Sequence, residues 1–334
     1  MILKYLGKEY QREWEDLTKN NPVTGFMQSF YWAEFQNLIG WETYKIGIFD
    51  KNKLIGGAII GKYSHYKDYN FLFIPEGPVI PYQTTEGEKM FQLLVGEIDK
   101  IINLEGKQRT SHLSIEPKLI KVPNYFSRFI KTSVDRQPLK TSLLDLYQTE
   151  EQILKKMKPK GRYNIKVAVR HKVKIFSKDP TEGLKLFLPL YKSFVKKHKI
   201  EGKDNDYFES LAYVLSKNIS GKFYFACCQD QILATVLVVF YGNTATYLFG
   251  ASTDINKKVM APYLLHWEII KELKRLGYKW YDWYGVSPDE KDENHPWLGF
   301  TKFKKKFGGQ EVKYIGGYDF VYNDKLYQKY LWEK

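Results

Sequence analysis

A tract near the C-terminus combines turn-forming residues with closely spaced aromatic and cationic side chains. Residues 281–297 contain one glycine and two prolines, and the next segment interleaves phenylalanines with lysines: Phe300, Lys302, Phe303, Lys304, Lys305, Lys306 and Phe307. Phenylalanines spaced three and four apart predict a helix that buries one side and leaves its lysines to point elsewhere. A cation near a developing oxyanion accelerates acyl transfer without a nucleophile on the protein. The tract is therefore the first candidate for acyl-transfer chemistry.

Motifs for other kinds of catalysis are missing from the sequence. The histidines and cysteines form no His-x-x-x-His or Cys-x-x-Cys pair, which argues against a zinc site. There is no Gly-x-x-x-x-Gly-Lys-Ser/Thr loop for ATP and no Gly-x-Ser-x-Gly elbow for a nucleophilic serine. Transfer of an activated ester to an amine needs only two positioned substrates and groups that stabilise the oxyanion. We therefore expect no metal and no ATP.

Length and composition predict a two-domain globular protein with a polyanionic partner. The chain has 334 residues, 43% of them hydrophobic, and 52 Lys and Arg against 38 Asp and Glu give a net charge of +14. Its two cysteines are adjacent, which favours a reducing compartment over a disulfide-stapled secreted fold. The N-terminus does not resemble a signal peptide, and the apolar runs are too short to span a bilayer. We expect a cytoplasmic monomer whose membrane contact is at most peripheral.

A basic segment separates the two halves of the chain. Residues 153–178 contain ten Lys or Arg and no acidic residue. A helix is predicted to begin near residue 158, with Arg162, Lys166 and Arg170 four apart on one face. Like charges at this spacing repel, and a solvated helix normally interleaves acids to relieve the repulsion. The pattern favours a phosphate-binding face over a plain solvated one.

An internal repeat predicts the fold class. Residues 44–61 and 222–240 each indicate two apolar strands around a tight turn. Each pair follows a helical stretch and precedes another strand, at residues 70–74 and 245–249. This order is similar to that of the GNAT acyltransferase domain, so we predict an α/β fold with two tandem GNAT-like domains.

We place these domains at residues 1–150 and 151–314, and we expect residues 315–334 to pack back onto the first domain. GNAT enzymes that use acetyl-CoA need a glycine-containing loop where pyrophosphate meets backbone N–H groups. The corresponding residues, 256–263, contain no glycine. We therefore do not expect CoA to bind.

Seven segments carry a resemblance to a known family in their order along the whole chain. They are residues 28–35, 76–79, 158–166, 247–252, 261–265, 281–289 and 295–309. They resemble landmarks of the Fem family (FemABX) of peptidoglycan-bridge aminoacyltransferases. The sequence has no long heptad segment, so the helical arm of the larger Fem proteins is not expected, and the compact FemX-like form is the closer comparison.

The resemblance implies transfer of an amino acid from aminoacyl-tRNA to the stem-peptide amine of a muramyl-peptide precursor, lipid-linked or UDP-linked. Such a transferase serves cell-wall biogenesis and cell shape, and a lipid-linked substrate would bring peripheral membrane contact. Two alternatives stay open: an aminoacyl-tRNA-dependent transferase that acts on another peptide or metabolite amine, and a non-catalytic tRNA-binding protein.

The resemblance also implies residue roles. Lys304 would stabilise the oxyanion beside Phe303, and Glu116 would accept the substrate ammonium. Precursor-binding positions map to Gln36 in place of a lysine, Trp41, Lys203 in place of an arginine, Tyr207, and Phe249 with Tyr247 beside it. The tRNA backbone would be bound by Lys158, Lys160, Arg162, Lys166 and Arg170. A lysine at 203 keeps the charge of arginine but loses bidentate phosphate geometry. The acceptor pocket is expected near Trp41, Lys203 and Tyr207.

Each of these positions also has a plain structural reading. Trp41 and Phe249 could be core aromatics, and Glu116 could be a surface carboxylate. Lys304 lies among other lysines, so its neighbours compete for the same role.

Overall fold

The computed structural model describes residues 1–19, 21–65, 69–218 and 220–333. These residues form ten α-helices: α1 Gln11–Thr18, α2 Phe30–Leu38, α3 Thr85–Glu105, α4 Glu150–Lys156, α5 Pro159–Arg170, α6 Pro180–His198, α7 Asn205–Lys217, α8 Ala261–Arg275, α9 Leu298–Lys304 and α10 Asp324–Trp332. They also form fourteen strands: β1 Ile2–Tyr5, β2 Glu42–Asp50, β3 Lys53–His65, β4 Tyr69–Pro75, β5 Thr110–Glu116, β6 Ile130–Lys131, β7 Lys140–Asp145, β8 Lys174–Lys178, β9 Gly221–Cys228, β10 Gln231–Tyr241, β11 Thr244–Ser252, β12 Trp280–Gly285, β13 Gln310–Lys313 and β14 Tyr318–Val321.

The chain divides into two compact units. The first unit comprises Met1–Leu139 and Lys313–Lys334, and the second comprises Lys140–Val312. The boundary lies before β7 and not after residue 150, because β7 pairs with β12 inside the second sheet. At the C-terminus, β14 pairs with β5 in the first sheet. Membership of a unit is thus decided by strand pairing between distant residues.

Each unit is built around a seven-stranded sheet with the same central order. The first sheet runs β1-β2-β3-β4-β5-β14-β6 and the second runs β13-β7-β12-β11-β10-β9-β8. In the first unit β2, β3 and β4 are antiparallel neighbours, and β5 joins β4 in parallel after α3. In the second unit β9, β10 and β11 repeat this pattern, and β12 joins β11 in parallel after α8. The predicted duplication of a GNAT-like unit is confirmed.

Helices cover the sheets through apolar stripes at helical spacing. On α3 the buried stripe consists of Phe91, Leu94, Ile98, Ile101 and Ile102. In the second unit α8 and α5 pack on the sheet face that carries Tyr224 and Ala226. Helices α6 and α7 lie on the opposite face, where Phe187 contacts Phe223. The second sheet therefore lies between two helical layers.

Long helices are few in the described part of the chain. The longest helix there is α3, with 21 residues, and it packs on the first sheet. No paired long helices form a coiled-coil arm among these residues. None of the described helices is both long and apolar enough to cross a membrane.

Two of the family-like segments form buried hydrogen bonds that hold parts of the first unit together. The Gln28 side chain is fully buried, donates to the carbonyl oxygens of Ile59 (3.0 Å) and Pro75 (2.7 Å), and accepts from Ile59 N–H (2.8 Å). Glu76 has a left-handed backbone, and its carboxylate accepts from Met27 N–H at 3.0 Å. These contacts tie the segment before α2 to β3 and to the end of β4.

Replacing Gln28 with leucine is expected to lower the free energy of unfolding by about 2–4 kcal/mol. The change leaves buried backbone groups of Ile59 and Pro75 unpaired, at about 1–3 kcal/mol for each unpaired group. Urea unfolding followed by tryptophan fluorescence measures the effect. Gln92 is exposed on α3, so Gln92→Leu is the matched control and should change stability by less than about 0.5 kcal/mol. Equal stability of the two variants would contradict the role of Gln28.

Candidate active site

The four lysines of the C-terminal tract have different surroundings. Lys302 is exposed, whereas Lys305 forms ion pairs with Glu290 and Glu311. Lys306 donates to the Tyr263 hydroxyl at 2.8 Å. Lys304 is the buried member of the four, so the expectation that the lysines point away from the buried side of the helix is wrong for this residue.

Lys304 ends α9 with its ammonium group inside the second unit. The side chain is 9% exposed, its Nζ donates to the Gly285 carbonyl oxygen at 2.7 Å, and Nζ lies 5.1 Å from the ring centroid of Tyr247. Burial lowers the pKa of Lys304 to about 8, and the nearby Asp282 carboxylate opposes this shift. The ammonium form therefore still predominates at neutral pH, and it has donors beyond the one that Gly285 accepts.

An irregular end of β12 presents the Gly285 carbonyl to Lys304. The pairing of β12 with β7 shifts register between Asp282 and Gly285, and Tyr284 has a left-handed φ of 55°. Asp282 accepts hydrogen bonds from Tyr284 N–H (2.8 Å) and from the Thr141 hydroxyl. The buried carboxylate thus holds the turn that directs the Gly285 carbonyl, and it also lies in the electrostatic field of Lys304.

The start of α5 supports the segment that follows Lys304. Lys158 N–H donates to the Lys306 carbonyl oxygen at 3.0 Å. A Cβ atom at Gly161 would lie 2.7 Å from that same oxygen, so the close approach of α5 requires glycine here. The family-like segment at residues 158–166 therefore helps to position the lysine-rich tract.

A bulge in β11 separates two aromatic residues that the sequence places together. Leu237 pairs with Phe249 but Val238 pairs with Tyr247, so Leu248 is the extra residue. In a regular strand residues 247 and 249 would share a face. The bulge turns Tyr247 toward Lys304 and α8, and Phe249 toward α6 and α7. The Tyr247 hydroxyl lies where a Cβ atom at residue 250 would be, and that residue is Gly250.

His266 is a residue of this site that sequence reasoning missed. Its Nδ1 lies 2.9 Å from the Tyr281 hydroxyl, and its ring centroid lies 4.8 Å from that of Tyr247. Burial, followed by the charge of Lys304, lowers the pKa of His266 to about 3, so its imidazole is neutral. His266 and Tyr281 are brought together only by the packing of α8 on the sheet, and no sequence spacing signals the pair.

Phe303 belongs to the same cluster as Tyr247 and Lys304. Its ring centroid is 5.0 Å from that of Tyr263 and 5.4 Å from that of His266. Three predicted site residues, Tyr247, Phe303 and Lys304, are therefore brought together on the α8 side of the second sheet.

Three other predicted residues meet on the opposite side of that sheet. The Lys203 ammonium lies 5.5 Å from the ring centroid of Tyr207, and the Tyr207 and Phe249 centroids are 6.1 Å apart. Burial raises the pKa of Tyr207, so its hydroxyl stays protonated. Helix α9 also reaches this layer, where the ring centroids of Phe300 and of Phe194 on α6 are 5.9 Å apart.

In the first unit Gln36 and Trp41 converge on β3. A Cβ atom at Gly61 would lie 2.7 Å from the Trp41 ring and 3.0 Å from the Gln36 side-chain nitrogen. The Gln36 side chain is buried, and its Oε1 has no hydrogen-bond partner. The Trp41 ring packs against Tyr63 and Phe71, with centroids 5.0 and 6.0 Å away. These two predicted residues are adjacent.

Glu116 is buried and not on the surface. Its carboxylate accepts from the N–H groups of Arg136 (2.7 Å) and Gln137 (2.6 Å). Burial raises the pKa of Glu116 to about 8, although both of these hydrogen bonds act to lower it. The Arg136 guanidinium lies 4.2 Å from the ring centroid of Phe71, which makes it a cation of this region that sequence reasoning missed. It lies in the loop between β6 and β7, and no sequence motif signals it.

The predicted tRNA-binding residues differ in their exposure to solvent. Lys158, Lys160, Lys166 and Arg170 are exposed. Arg162 instead turns inward and donates to the carbonyl oxygens of Leu154 (3.2 Å) and Met157. The helix places Arg162 in line with Lys166 and Arg170, as predicted, but its guanidinium does not join their exposed cations because it satisfies carbonyl groups at the end of α4.

No group of three or more potential metal ligands occurs among residues 1–19, 21–65, 69–218 and 220–333.

Comparison with known proteins decides the family. The FemAB family model matches residues 10–122, 128–228 and 217–332, which is most of the chain. The chain belongs to the FemAB family. The resemblance found in the sequence is thereby confirmed. A Lipid II:glycine glycyltransferase of Staphylococcus epidermidis is 19% identical, over 92% of this chain and 91% of that relative. As a FemAB family member with such relatives, this chain is an aminoacyltransferase.

Solved structures confirm the fold. The crystal structure of FemX has a TM-score of 0.84 at 18% identity and covers 98% of this chain and 99% of its own. A tandem GNAT protein from the clavulanic acid biosynthesis pathway has a TM-score of 0.59 at 9% identity and covers 96% of this chain and 99% of its own. At these identities the likeness concerns the fold, and it supports the two GNAT-like units of this FemAB family member.

Proposed function

We propose that this protein transfers an amino acid from aminoacyl-tRNA to a stem-peptide amine of a muramyl-peptide precursor and so builds an interpeptide bridge of peptidoglycan. The observation that carries the proposal is the buried Lys304 ammonium, held by Gly285 and Tyr247 in a FemAB chain. The relative from Staphylococcus epidermidis is a Lipid II:glycine glycyltransferase, which supports a lipid-linked precursor as the acceptor of this chain.

The proposed reaction needs no cofactor and no nucleophile on the protein beyond the two substrates. The acceptor amine attacks the ester carbonyl of the aminoacyl group, a C–N bond forms, and the carbonyl oxygen becomes an oxyanion. Lys304 donates to that oxyanion with a donor that Gly285 does not use. The C–O bond to the tRNA ribose then breaks, and the proton of the amine passes to the ribose oxygen. CoA, ATP and metal ions have no part in this scheme.

The distribution of charge supports the second unit as the tRNA-binding unit. Residues 140–312 contain 30 Lys and Arg against 19 Asp and Glu, a net charge of +11 out of +14 for the whole chain. Nucleic acids bind such surfaces through their phosphates. Charged tRNA is cytoplasmic, so the proposed reaction places the protein there, and we propose that it acts as a monomer.

The predicted precursor-binding residues and Glu116 are assigned to the acceptor. We propose that Trp41 and Gln36 contact the precursor in the first unit, and that Lys203, Tyr207 and Phe249 contact it in the second. Lys203 would pair with a phosphate as a point charge. Glu116 would receive the ammonium group of the stem peptide, and the approach of that cation would favour the ionised carboxylate against the effect of burial on its pKa.

Mass spectrometry of a reconstituted reaction tests the proposal. Purified protein is incubated with a panel of charged tRNAs and with lipid-linked and UDP-linked muramyl peptides in parallel. The expected result is a mass gain of one amino-acid residue on one precursor with at least one charged tRNA. No mass gain with any pair would overturn the proposal, and uncharged tRNA serves as the control.

A second candidate function is the same transfer to another peptide or metabolite amine. It is favoured by Gln36, a buried and uncharged side chain where a phosphate-binding lysine is expected. Unrelated peptide amines belong in the same mass-spectrometric panel. A product with them and none with either muramyl peptide would select this second function.

A further inference from the structure

The exposed side of α5 is an aromatic and basic surface that includes two of the predicted tRNA-binding residues, Lys166 and Arg170. We call it the α5 outer face and define it by Tyr163, Lys166, Val169 and Arg170. Tyr163 is 59% exposed and Val169 is 57% exposed. With Ile165, these residues line a surface groove of about 450 Å³. An exposed tyrosine beside two exposed cations is suited to a ligand that has both flat rings and negative charges.

The aromatic ring and the cations of this face act on the same space. Tyr163, Lys166 and Arg170 recur at helical spacing, so they lie in one row along the helix. The Arg170 guanidinium lies 5.8 Å from the ring centroid of Tyr163. Arg162 leaves this row because it donates to carbonyl oxygens of Leu154 and Met157. The row therefore begins with a ring and continues with positive charges.

The α5 outer face also leads away from the Lys304 segment. The first turn of α5 contacts the carbonyl oxygen of Lys306, two residues after Lys304. The helix has 12 residues, which corresponds to a length of about 18 Å. An extended ligand whose reactive end lies at Lys304 could therefore follow α5 outward.

The positive charge of the segment around α5 indicates which class of ligand this face fits. Residues 153–178 include α5 and carry ten Lys or Arg without an acidic residue. Proteins hold single-stranded nucleic acid by stacking bases on aromatic rings while cations follow the phosphates. A membrane surface would instead favour several exposed aliphatic side chains, and this face offers only Val169 among its four residues.

We propose that the α5 outer face binds the unpaired 3′ strand of the donor tRNA, with one base stacked on Tyr163 and phosphates paired with Lys166 and Arg170. The inference rests on the proposed function, because that function supplies a tRNA whose 3′ end must reach Lys304. It adds Tyr163 as a base-stacking residue.

Fluorescence anisotropy with two forms of one uncharged tRNA tests the inference. One form is intact, and the other lacks its unpaired 3′ nucleotides. Tyr163→Ala should weaken binding of the intact form by about 5- to 150-fold and leave binding of the trimmed form unchanged. Tyr163→Trp should retain binding. Lys166→Gln and Arg170→Gln should each reduce the slope of log affinity against log salt by about 1.

Tyr213 provides a matched control in the same unit. It is 51% exposed on α7, and the Lys217 ammonium lies 5.7 Å from its ring centroid, so it is also an exposed ring beside a cation. Tyr213→Ala should bind both forms of tRNA as the unchanged protein does. An equal loss with Tyr213→Ala would show that any exposed tyrosine has this effect and would overturn the inference.

Four further outcomes have defined meanings. If Tyr163→Ala binds both tRNA forms normally, or weakens both equally, the stacking role is overturned. If the same variant instead loses binding to vesicles of anionic phospholipid, the face belongs to a membrane and the inference is also overturned. If the unchanged protein transfers an amino acid while Tyr163→Ala has no binding defect, the inference fails and the proposed function stands. Absence of transfer alongside a selective Tyr163 defect would overturn the proposed function and support only the stacking of a tRNA 3′ base on Tyr163.

Discussion

Lys304→Met is expected to reduce the rate of aminoacyl transfer by about 100- to 1,000-fold, the range seen when one oxyanion donor is removed. Methionine fills a similar volume but cannot donate to the tetrahedral intermediate. Because Lys304 acts on charge that develops in the transition state, kcat should fall while the KM for the precursor changes little. Single-turnover transfer assays with charged tRNA measure the loss.

Lys302→Met is the matched control for this substitution. Lys302 is exposed on the same short helix, and its loss removes one charge without touching the Gly285 and Tyr247 contacts. We expect Lys302→Met to retain transfer within a few-fold of the unchanged protein. Comparable losses in the two variants would show that general positive charge, and not the buried ammonium, is what the reaction requires.

The same Lys304→Met variant is expected to be more stable than the unchanged protein at neutral pH. Burial lowers the pKa of Lys304 from 10.5 to about 8, so holding it protonated costs up to about 3 kcal/mol. Asp282 keeps its hydrogen bonds to Tyr284 and Thr141 but loses a nearby cation. The free energy of unfolding should therefore rise by about 1–2 kcal/mol in the variant.

This difference in stability should depend on pH in one direction. The cost of the buried ammonium is fully present below the folded-state pKa of about 8. As pH rises from there toward 10.5, folded Lys304 has lost its proton while the unfolded chain still binds one, so the unchanged protein gains stability. Urea unfolding across this pH range should show the free energies of unfolding of the unchanged protein and of Lys304→Met becoming more similar as pH rises. A gap that widens with pH would contradict the lowered pKa.

The repeated order of helices and strands could be predicted because each of these elements is encoded by residues close together in the sequence. Strand pairs around tight turns and the apolar stripe on α3 were predictable from alternation and from helical spacing. The boundary between the units was not predictable in this way. Strand β7 is a short segment whose membership depends on pairing with β12, more than a hundred residues later in the sequence.

The candidate site was predictable only in part, for three separate physical reasons. A bulge of one residue at Leu248 placed Tyr247 and Phe249 on opposite faces, and no local pattern marks that insertion. Arg162 was diverted by the carbonyl groups that end α4. Lys304 was grouped with its neighbours by composition, whereas its burial follows from the turn at Tyr284 that positions the Gly285 carbonyl.

Asp282→Asn is expected to shift the alkaline decline of the transfer rate to lower pH. Asparagine can still accept the hydrogen bonds from Tyr284 N–H and the Thr141 hydroxyl, so the turn at Tyr284 should persist. The lost negative charge is the one that counteracts the effect of burial on the pKa of Lys304. That pKa should therefore fall further, and the fraction of protonated Lys304 near neutral pH should drop.

The pH profile separates this electrostatic role of Asp282 from a structural one. We expect Asp282→Asn to lose several-fold to about tenfold in kcat at neutral pH, and to recover much of that loss, relative to the unchanged protein, under mildly acidic conditions. Asp289→Asn is the matched control, because Asp289 is exposed a few residues later and should leave the profile in place. If the ratio of the two rates is instead constant across the profile, Asp282 only holds the turn. The charge of Asp282 acts on the Lys304 ammonium, whereas its hydrogen bonds hold Tyr284 and Thr141. Only the first role depends on the protonation of Lys304, so transfer rates measured across pH separate the two roles.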